Sequence, residues 1–106
     1  MLHYFPQSVD VRIREAIAGK NLLQVQYKNH TRVVEPHDFG VRHGVEWLLV
    51  YQLSSTDGTG SHAVGWRLFD VGKIASLSVL EAKFDGSNRD STHTHYAWDV
   101  LYARVD

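Results

Sequence analysis

The chain of 106 residues contains no cysteine. This absence excludes disulfide bonds, a thiolate nucleophile and cysteine-ligated zinc, and it is consistent with a reducing compartment. No apolar run approaches the roughly 20 residues that a membrane-spanning helix requires. The chain also has no excess of positive charge, because it contains 11 Lys and Arg and 12 Asp and Glu, for a formal net charge of −1. That balance argues against a nucleic-acid coat or a polybasic membrane binder.

The remaining composition is that of a soluble globular protein, with 43% hydrophobic and 22% charged residues. The length predicts a single domain over residues 1–106. The first residues, Met1 to Pro6, lack the basic segment and apolar run of a secretory signal. We therefore expect a cytoplasmic protein.

One helix is predicted near the start of the chain, over about residues 9–18. Ser8 can cap its first turn, Asp10 suits the N-terminal end of the helix dipole, and Gly19 is expected to end it. The apolar residues that share one face are Val9, Ile13, Ala16 and Ile17.

A β-hairpin is predicted to follow the helix. The residues from Leu23 to Tyr27 alternate between apolar and polar, which indicates a half-buried strand, and Asn29-His30 offers a tight turn before a second strand over 31–35. Pro36 lacks an amide donor, so it is expected to end that strand or to lie at a sheet edge. Residues 37–44 then read as a polar connection.

Three more strands are predicted at 45–53, 63–69 and 74–80, with a Ser-, Thr- and Gly-rich loop at 54–61. Five short strands after one helix favour an α+β protein that is mostly β, built as a small antiparallel barrel over about residues 22–80. The segment 85–106 reads as a polar tail with a short docking element, helix or strand, at Tyr96 to Tyr102.

The main indication of function is a mixture of aromatic and cationic residues in the stretches 47–52 and 65–74. Arg67 and Lys73 lie beside Trp66 and Phe69, a combination that suits a ligand with rings and phosphates. The alternative is that the rings belong to the core. Trp66 and Phe69 have opposite parity along a strand, and Arg67 is predicted to share the face of Phe69.

Several segments, in order, resemble the WYL domain family, and the likeness runs from about Ile13 to Phe84. The segments that carry it are Ala16-Ile17, Tyr27, Arg32 before Glu35-Pro36, Trp47-Leu48-Leu49, and the stretch from Arg67 to Ile74. In the last stretch Asp70 and Gly72 stand where the family tends to carry Arg and Asp, so a basic site loses one cation and gains an anion.

The resemblance implies an SH3-like or Sm-like barrel that senses a nucleotide or single-stranded nucleic acid, usually fused to a helix-turn-helix. Only one helix is predicted before the barrel, so the chain looks like a stand-alone member of the family. The residues expected to bind ligand are Tyr27, Arg32, Trp47, Trp66, Arg67 and Lys73.

The sequence leaves two hypotheses of function open. The first is a non-catalytic regulatory binding module for a nucleotide or a short single-stranded nucleic acid, and the second is a protein-protein interaction or self-assembly module. No catalytic motif is present, and we expect neither an enzyme nor a bound cofactor or metal. The pair His93 and His95 has the character of an exposed polar tail rather than a ligand set.

Overall fold

A computed structural model describes residues 8–56, 63–87 and 96–106. Helix α1 spans Val9–Gly19. The strands that follow are β1 (Asn21–Tyr27), β2 (His30–Arg42), β3 (Val45–Ser55), β4 (Gly65–Asp70), β5 (Ile74–Lys83) and β6 (Val100–Arg104), with a 3-10 turn at Val71–Lys73 between β4 and β5. The protein is therefore α+β and mostly β, as predicted. The predicted docking element is a strand, β6.

The strands form one antiparallel sheet in the order β4-β3-β2-β1-β5, and β6 pairs with β2. Strands β1 and β4 are three places apart in this order, a separation of about 14 Å in a flat sheet. The rings of Tyr27 on β1 and Phe69 on β4 nevertheless stack with centroids 4.5 Å apart. The sheet is therefore curled. No backbone pairing joins β4 to β5 in the described part of the chain, and closure into a barrel stays a prediction.

The hydrophobic core fills the inside of this curl and is covered by α1. Its helix residues are Ile13, Ala16 and Ile17, all buried. The buried apolar residues from the strands include Leu23, Val25, Val34, Phe39, Leu48, Val50, Phe69 and Leu77. The apolar face predicted for the helix thus supplies one side of the core.

Both ends of α1 lie where the sequence predicted them, to within one residue. The hydroxyl of Ser8 accepts a hydrogen bond from the backbone amide of Val11 at 3.2 Å, which confirms the cap. At the other end Gly19 is the last helical residue, and Lys20 takes the left-handed conformation with φ 56°. The amide of Lys20 bonds back to the carbonyl of Ile17.

The first hairpin turn lies one residue earlier than predicted. Lys28 and Asn29 both have positive φ values, 50° and 64°. His30 already belongs to β2, where it pairs with Tyr27. Two consecutive positive φ values match the twist of the flanking strands, which favours this two-residue turn.

The predictions for Pro36 as a strand end and for 37–44 as a polar connection were wrong. Strand β2 continues through Pro36 to Arg42. Its neighbour changes there, since β1 pairs with β2 up to Val34 and β6 pairs with it from Asp38. The missing amide of Pro36 falls in the gap between the two neighbours, and the register against β3 shifts between Pro36 and Asp38. Such a bulge tolerates proline inside a strand.

The remaining boundaries differ from the predictions by a few residues. Strand β4 begins at Gly65 rather than 63, β5 extends to Lys83 rather than 80, and β3 extends to Ser55 rather than 53. Residues 57–61 of the predicted loop 54–61 lie outside the described residues. Across the described ranges, no helix is long and apolar enough to cross a membrane.

Candidate functional site

Strands β3 and β4 place the predicted site residues on two faces of the sheet. Arg67 pairs with Val50 and Phe69 pairs with Leu48, so both point to the inside of the curl. Trp66 pairs with Tyr51 on the outer face. The predicted parity is therefore confirmed, because Arg67 shares the face of Phe69 and not that of Trp66.

Arg32 is fixed inside the curl by its neighbours. Only 8% of the residue is exposed. Its Nε donates to the carbonyl of Tyr27 at 3.2 Å and its Nη1 donates to Oε1 of Gln52 at 3.2 Å. The Gln52 side chain in turn donates from Nε2 to the carbonyl of Ala63 at 2.8 Å. A planar guanidinium held at two points has a defined orientation.

Arg67 extends toward the same place as Arg32. Gln52 pairs with Gly65 across β3 and β4. A Cβ added at Gly65 would lie 3.1 Å from Nη1 of Arg67. The same Nη1 donates to the carbonyl of Trp66 at 2.9 Å. Two guanidinium groups from opposite sides thus approach the Gln52–Gly65 pair.

A second group of cations surrounds Tyr27. Its ring is stacked on Phe69 with an interplanar angle of 23°. The guanidinium carbon of Arg32 lies 5.7 Å from the ring centroid and Nζ of Lys28 lies 5.6 Å from it. Tyr27 also pairs with Ile74, so Lys28, which follows Tyr27, and Lys73, which precedes Ile74, leave the two strands at the same corner. Both lysines are exposed.

The two predicted tryptophans lie away from this corner, on the outer face. Trp66 makes edge contacts with Tyr51 at 5.3 Å and with His37 at 4.7 Å between centroids. Trp47 pairs with Gly40 on one side and Asp70 on the other. The structure thus brings Tyr27 together with Arg32 and next to the corner that carries Lys73, and it brings Arg67 to the Gln52–Gly65 pair that Arg32 also contacts. Trp47 and Trp66 lie on the opposite side of the sheet.

Asp70 belongs to the outer face as well. It pairs with Trp47, and its Oδ1 accepts a hydrogen bond from the amide of Gly72 at 3.0 Å. This carboxylate, which stands where the WYL pattern tends to carry Arg, is therefore on the opposite face from Arg67. It stays close to Lys73, because Asp70 directly precedes the turn Val71–Lys73 and its carboxylate accepts the bond from Gly72.

Two residues of this region were missed from the sequence: Gln52, which contacts Arg32, and Lys28 at the corner. Gln52 continues the inward positions Leu48 and Val50 with a period of two, and it is 1% exposed. The alternation in β3 already placed Gln52 at a core position. Because a buried amide requires hydrogen-bond partners, this could have indicated that polar groups gather around it. Lys28 lies in a turn and gave no such signal.

A separate polar cluster fastens β6 to β2. Asp38 is fully buried, and its carboxylate accepts bonds from Nε and Nη2 of Arg104 at 3.0 and 3.1 Å. Nε1 of Trp98 donates to the same carboxylate at 3.1 Å. The hydrogen bond with Asp38 raises the pKa of Arg104 above its ordinary value, against the opposing effect of desolvation. This cluster was not predicted, because Asp38 is 60 residues from Trp98 and 66 residues from Arg104 in the sequence.

The corner offers cations and ring edges but no group suited to a metal. Within residues 8–56, 63–87 and 96–106, no three His, Cys, Asp or Glu side chains are placed to hold an ion. His93 and His95 lie outside the described residues. The fold and the corner together define a small β-rich domain with a cationic, aromatic inner end.

Comparisons of this chain with protein-family models, curated proteins and solved structures gave no match. The resemblance to the WYL domain therefore depends on the sequence motifs alone and stays a prediction.

Proposed function

We propose that the protein is a non-catalytic binding module for a phosphate-bearing ligand, either a nucleotide or a short single-stranded nucleic acid. The observation that carries the proposal is the approach of Arg32 and Arg67 to the Gln52–Gly65 pair, beside the corner where Lys28 and Lys73 are exposed. Arginine donors suit phosphate oxygens because their planar fork bonds two acceptors at once.

The burial of each cation gives it a different role. Arg67 is half-buried and the two lysines are exposed, so these three are the candidates for direct contact. Arg32 and Tyr27 are buried, at 8% and 5% exposure, so both hold the corner in shape, and Arg32 adds a positive field behind it. Tyr27 is already stacked on Phe69 and offers no free face to a base.

The outer face supplies the aromatic surface that a longer ligand needs. Trp47 pairs with Asp70, the residue directly before the 3-10 turn that carries Lys73. Trp47 is half-buried and Lys73 is exposed. A mononucleotide at the inner end does not reach Trp47, whereas a single strand that passes over the turn contacts both faces. Stacking on an indole contributes about 1 to 3 kcal/mol per base.

The test is a titration at low salt with a nucleoside monophosphate and with a short single-stranded oligonucleotide. Arg67→Ala should weaken both ligands by about tenfold, the loss expected for one charge-assisted contact. Trp47→Leu should weaken the oligonucleotide alone. Arg42→Ala, which removes a guanidinium at the far end of β2, serves as the matched control.

Two results would overturn the proposal. One is the absence of binding by either ligand at millimolar concentration. The other is an equal loss with Arg42→Ala and Arg67→Ala, since that would mean that net charge alone attracts the ligand.

A further inference from the structure

The connection that leads to strand β6 is longer than the connection between any other two consecutive strands. The turns that join its neighbours are short: Lys28–Asn29 lies between β1 and β2, and His43–Gly44 lies between β2 and β3. Sixteen residues, 84–99, separate β5 from β6 in the sequence. At about 3.3 Å per residue such a length spans up to roughly 50 Å. The connection therefore does not oblige β6 to pair with its own β2.

The edge of β2 that receives β6 is shaped for that segment. A Cβ added at Gly40 would lie 2.4 Å from the carbonyl oxygen of Val100 and 2.8 Å from Cε3 of Trp98. Glycine at this position is what lets the backbone of β6 and the indole approach so closely. The paired residues are Asp38 with Arg104, Phe39 with Ala103, Gly40 with Leu101, and Val41 with Val100.

The polar contacts of this edge add chemical selectivity. The buried carboxylate of Asp38 requires donors, and it receives two from Arg104 and one from Trp98. An incoming strand must bring an arginine and an indole six residues apart in sequence to satisfy it. The segment from Trp98 to Val105 of a second copy of this chain meets that requirement by construction.

We propose that β6 is exchanged between two copies, each placing its Trp98–Val105 segment on the β2 edge of the other. The contacts made in such a dimer are the same as those within one chain, so exchange costs little beyond the entropy of association. Protein concentration then sets the balance between monomer and dimer. This proposal does not depend on ligand binding.

The first test uses the ion pair between Asp38 and Arg104 in two full-length variants, Asp38→Arg and Arg104→Asp. Each variant alone places like charges at the docking position. In an exchanged heterodimer both positions regain an opposite pair. Mixing the two variants should give at least about tenfold more dimer by size-exclusion chromatography than either variant alone, because like charges disfavour each homodimer.

The double variant Asp38→Arg with Arg104→Asp restores an opposite pair within one chain and is the matched control. It should show the same distribution of monomer and dimer as the original protein. A mixture of the single variants that stays monomeric would overturn the proposal.

A second test leaves the ion pair intact. It shows whether β6 is exchanged even if either charge variant fails to fold. The chain has no cysteine, so Val41→Cys with Val100→Cys introduces one pair. These residues are directly opposite, at a separation that suits a disulfide. Oxidation after refolding at increasing protein concentration should give a rising fraction of covalent dimer on a non-reducing gel. Intrachain disulfide alone at every concentration would refute exchange, and each single-cysteine variant controls for random cross-linking.

Discussion

The phenol oxygen of Tyr27 accepts a hydrogen bond from the backbone amide of Asp70 at 3.0 Å. These residues belong to β1 and β4, which do not pair with each other. The bond lies at the end of β4, directly before the 3-10 turn, and the ring stack of Tyr27 on Phe69 lies one residue earlier. One tyrosine thus connects the two sides of the curled sheet at the corner where Lys28 and Lys73 emerge.

Tyr27→Phe should test this connection. The variant keeps the ring stack and leaves the Asp70 amide without its acceptor in a partly buried position. We expect a loss of about 1 to 2 kcal/mol in the free energy of unfolding, measured by denaturant titration. Tyr51→Phe, which removes a phenol hydroxyl from the outer face, is the control and should cost less. Equal losses would mean that the bond to Asp70 adds nothing.

Because Arg104 holds β6 to β2, two substitutions of Arg104 should lower the free energy of unfolding by different amounts. Arg104→Met removes two bonds to a fully buried carboxylate and should cost about 2 kcal/mol, less than the roughly 3 to 5 kcal/mol of a fully buried pair because the guanidinium is partly solvated. Arg104→Lys keeps the charge but cannot donate two parallel hydrogen bonds to the carboxylate, so its loss of unfolding free energy should be intermediate. Unfolding in urea measures both. If lysine performs as well as arginine, the fork geometry is unimportant.

The pH dependence of the Arg104 contribution follows from its raised pKa. A cation whose pKa is higher in the folded protein adds stability that is fully present below its unfolded value and is lost only as pH rises through the folded one. For an arginine that window lies above about 12. The arginine side of the pair should therefore add a constant amount between about pH 6 and about pH 9, because the guanidinium stays protonated throughout that range.

Gly40→Ala should detach β6. The added methyl would overlap the Val100 carbonyl and the Trp98 ring, and overpacking of this kind costs about 1 to 3 kcal/mol. Amide hydrogen exchange should then increase first in Val100–Arg104. Gly72→Ala is the matched control, because the nearest atom to its added Cβ is 3.4 Å away. Protection of β6 that is unchanged in Gly40→Ala would contradict the close approach.

The raised pKa of Tyr102 should make the folded protein less stable at alkaline pH. Its pKa is raised above 10.0, first by desolvation and then by the negative charge of Glu46, which also accepts its hydrogen bond. The unfolded chain releases this proton near pH 10 while the folded protein retains it, so the contribution is complete below pH 10 and is lost as pH rises through the folded pKa.

Tyr102→Phe should therefore reduce the decline in unfolding free energy between neutral pH and pH 11 (about one unit above the reference value of tyrosine). Denaturant titrations at several pH values provide the measurement. Tyr51→Phe, five residues along β3 from Glu46, removes one phenol without that neighbour. The same decline in all three proteins would argue against a raised pKa at Tyr102.

The sequence predicted the local structure well because each signal was local. The Ser8 cap, the apolar helix face and the alternation in β1 all involve residues a few positions apart, and all three are present. The errors arose where a distant segment changed the outcome. Pro36 is tolerated inside β2 because β1 pairs with β2 before Pro36 and β6 pairs with β2 after it. The residues near Pro36 in the sequence give no indication that β6 will pair there.

The relative placement of the candidate residues was predicted only in part for a similar reason. Proximity in sequence suggested that Trp66 and Arg67 act together, but adjacent strand residues point to opposite faces, and β4 separates them. Arg32 and Tyr27 entered the prediction through the family pattern, and Arg32 does contact Gln52, whose partner Gly65 lies next to Arg67. The contact through Gln52 depends on the pairing of three strands, which composition and period do not encode.

The dependence of β2 on two neighbours also has a consequence during synthesis. The part of β2 near Asp38 meets β3 within a few residues of chain growth, but its other edge waits for Trp98, 60 residues further on. Throughout that interval a nascent chain displays unpaired amides and a carboxylate destined for burial. Ribosome-bound intermediates that stop between β5 and β6 should therefore be the form of this protein that chaperones recognise and that associates through open strand edges.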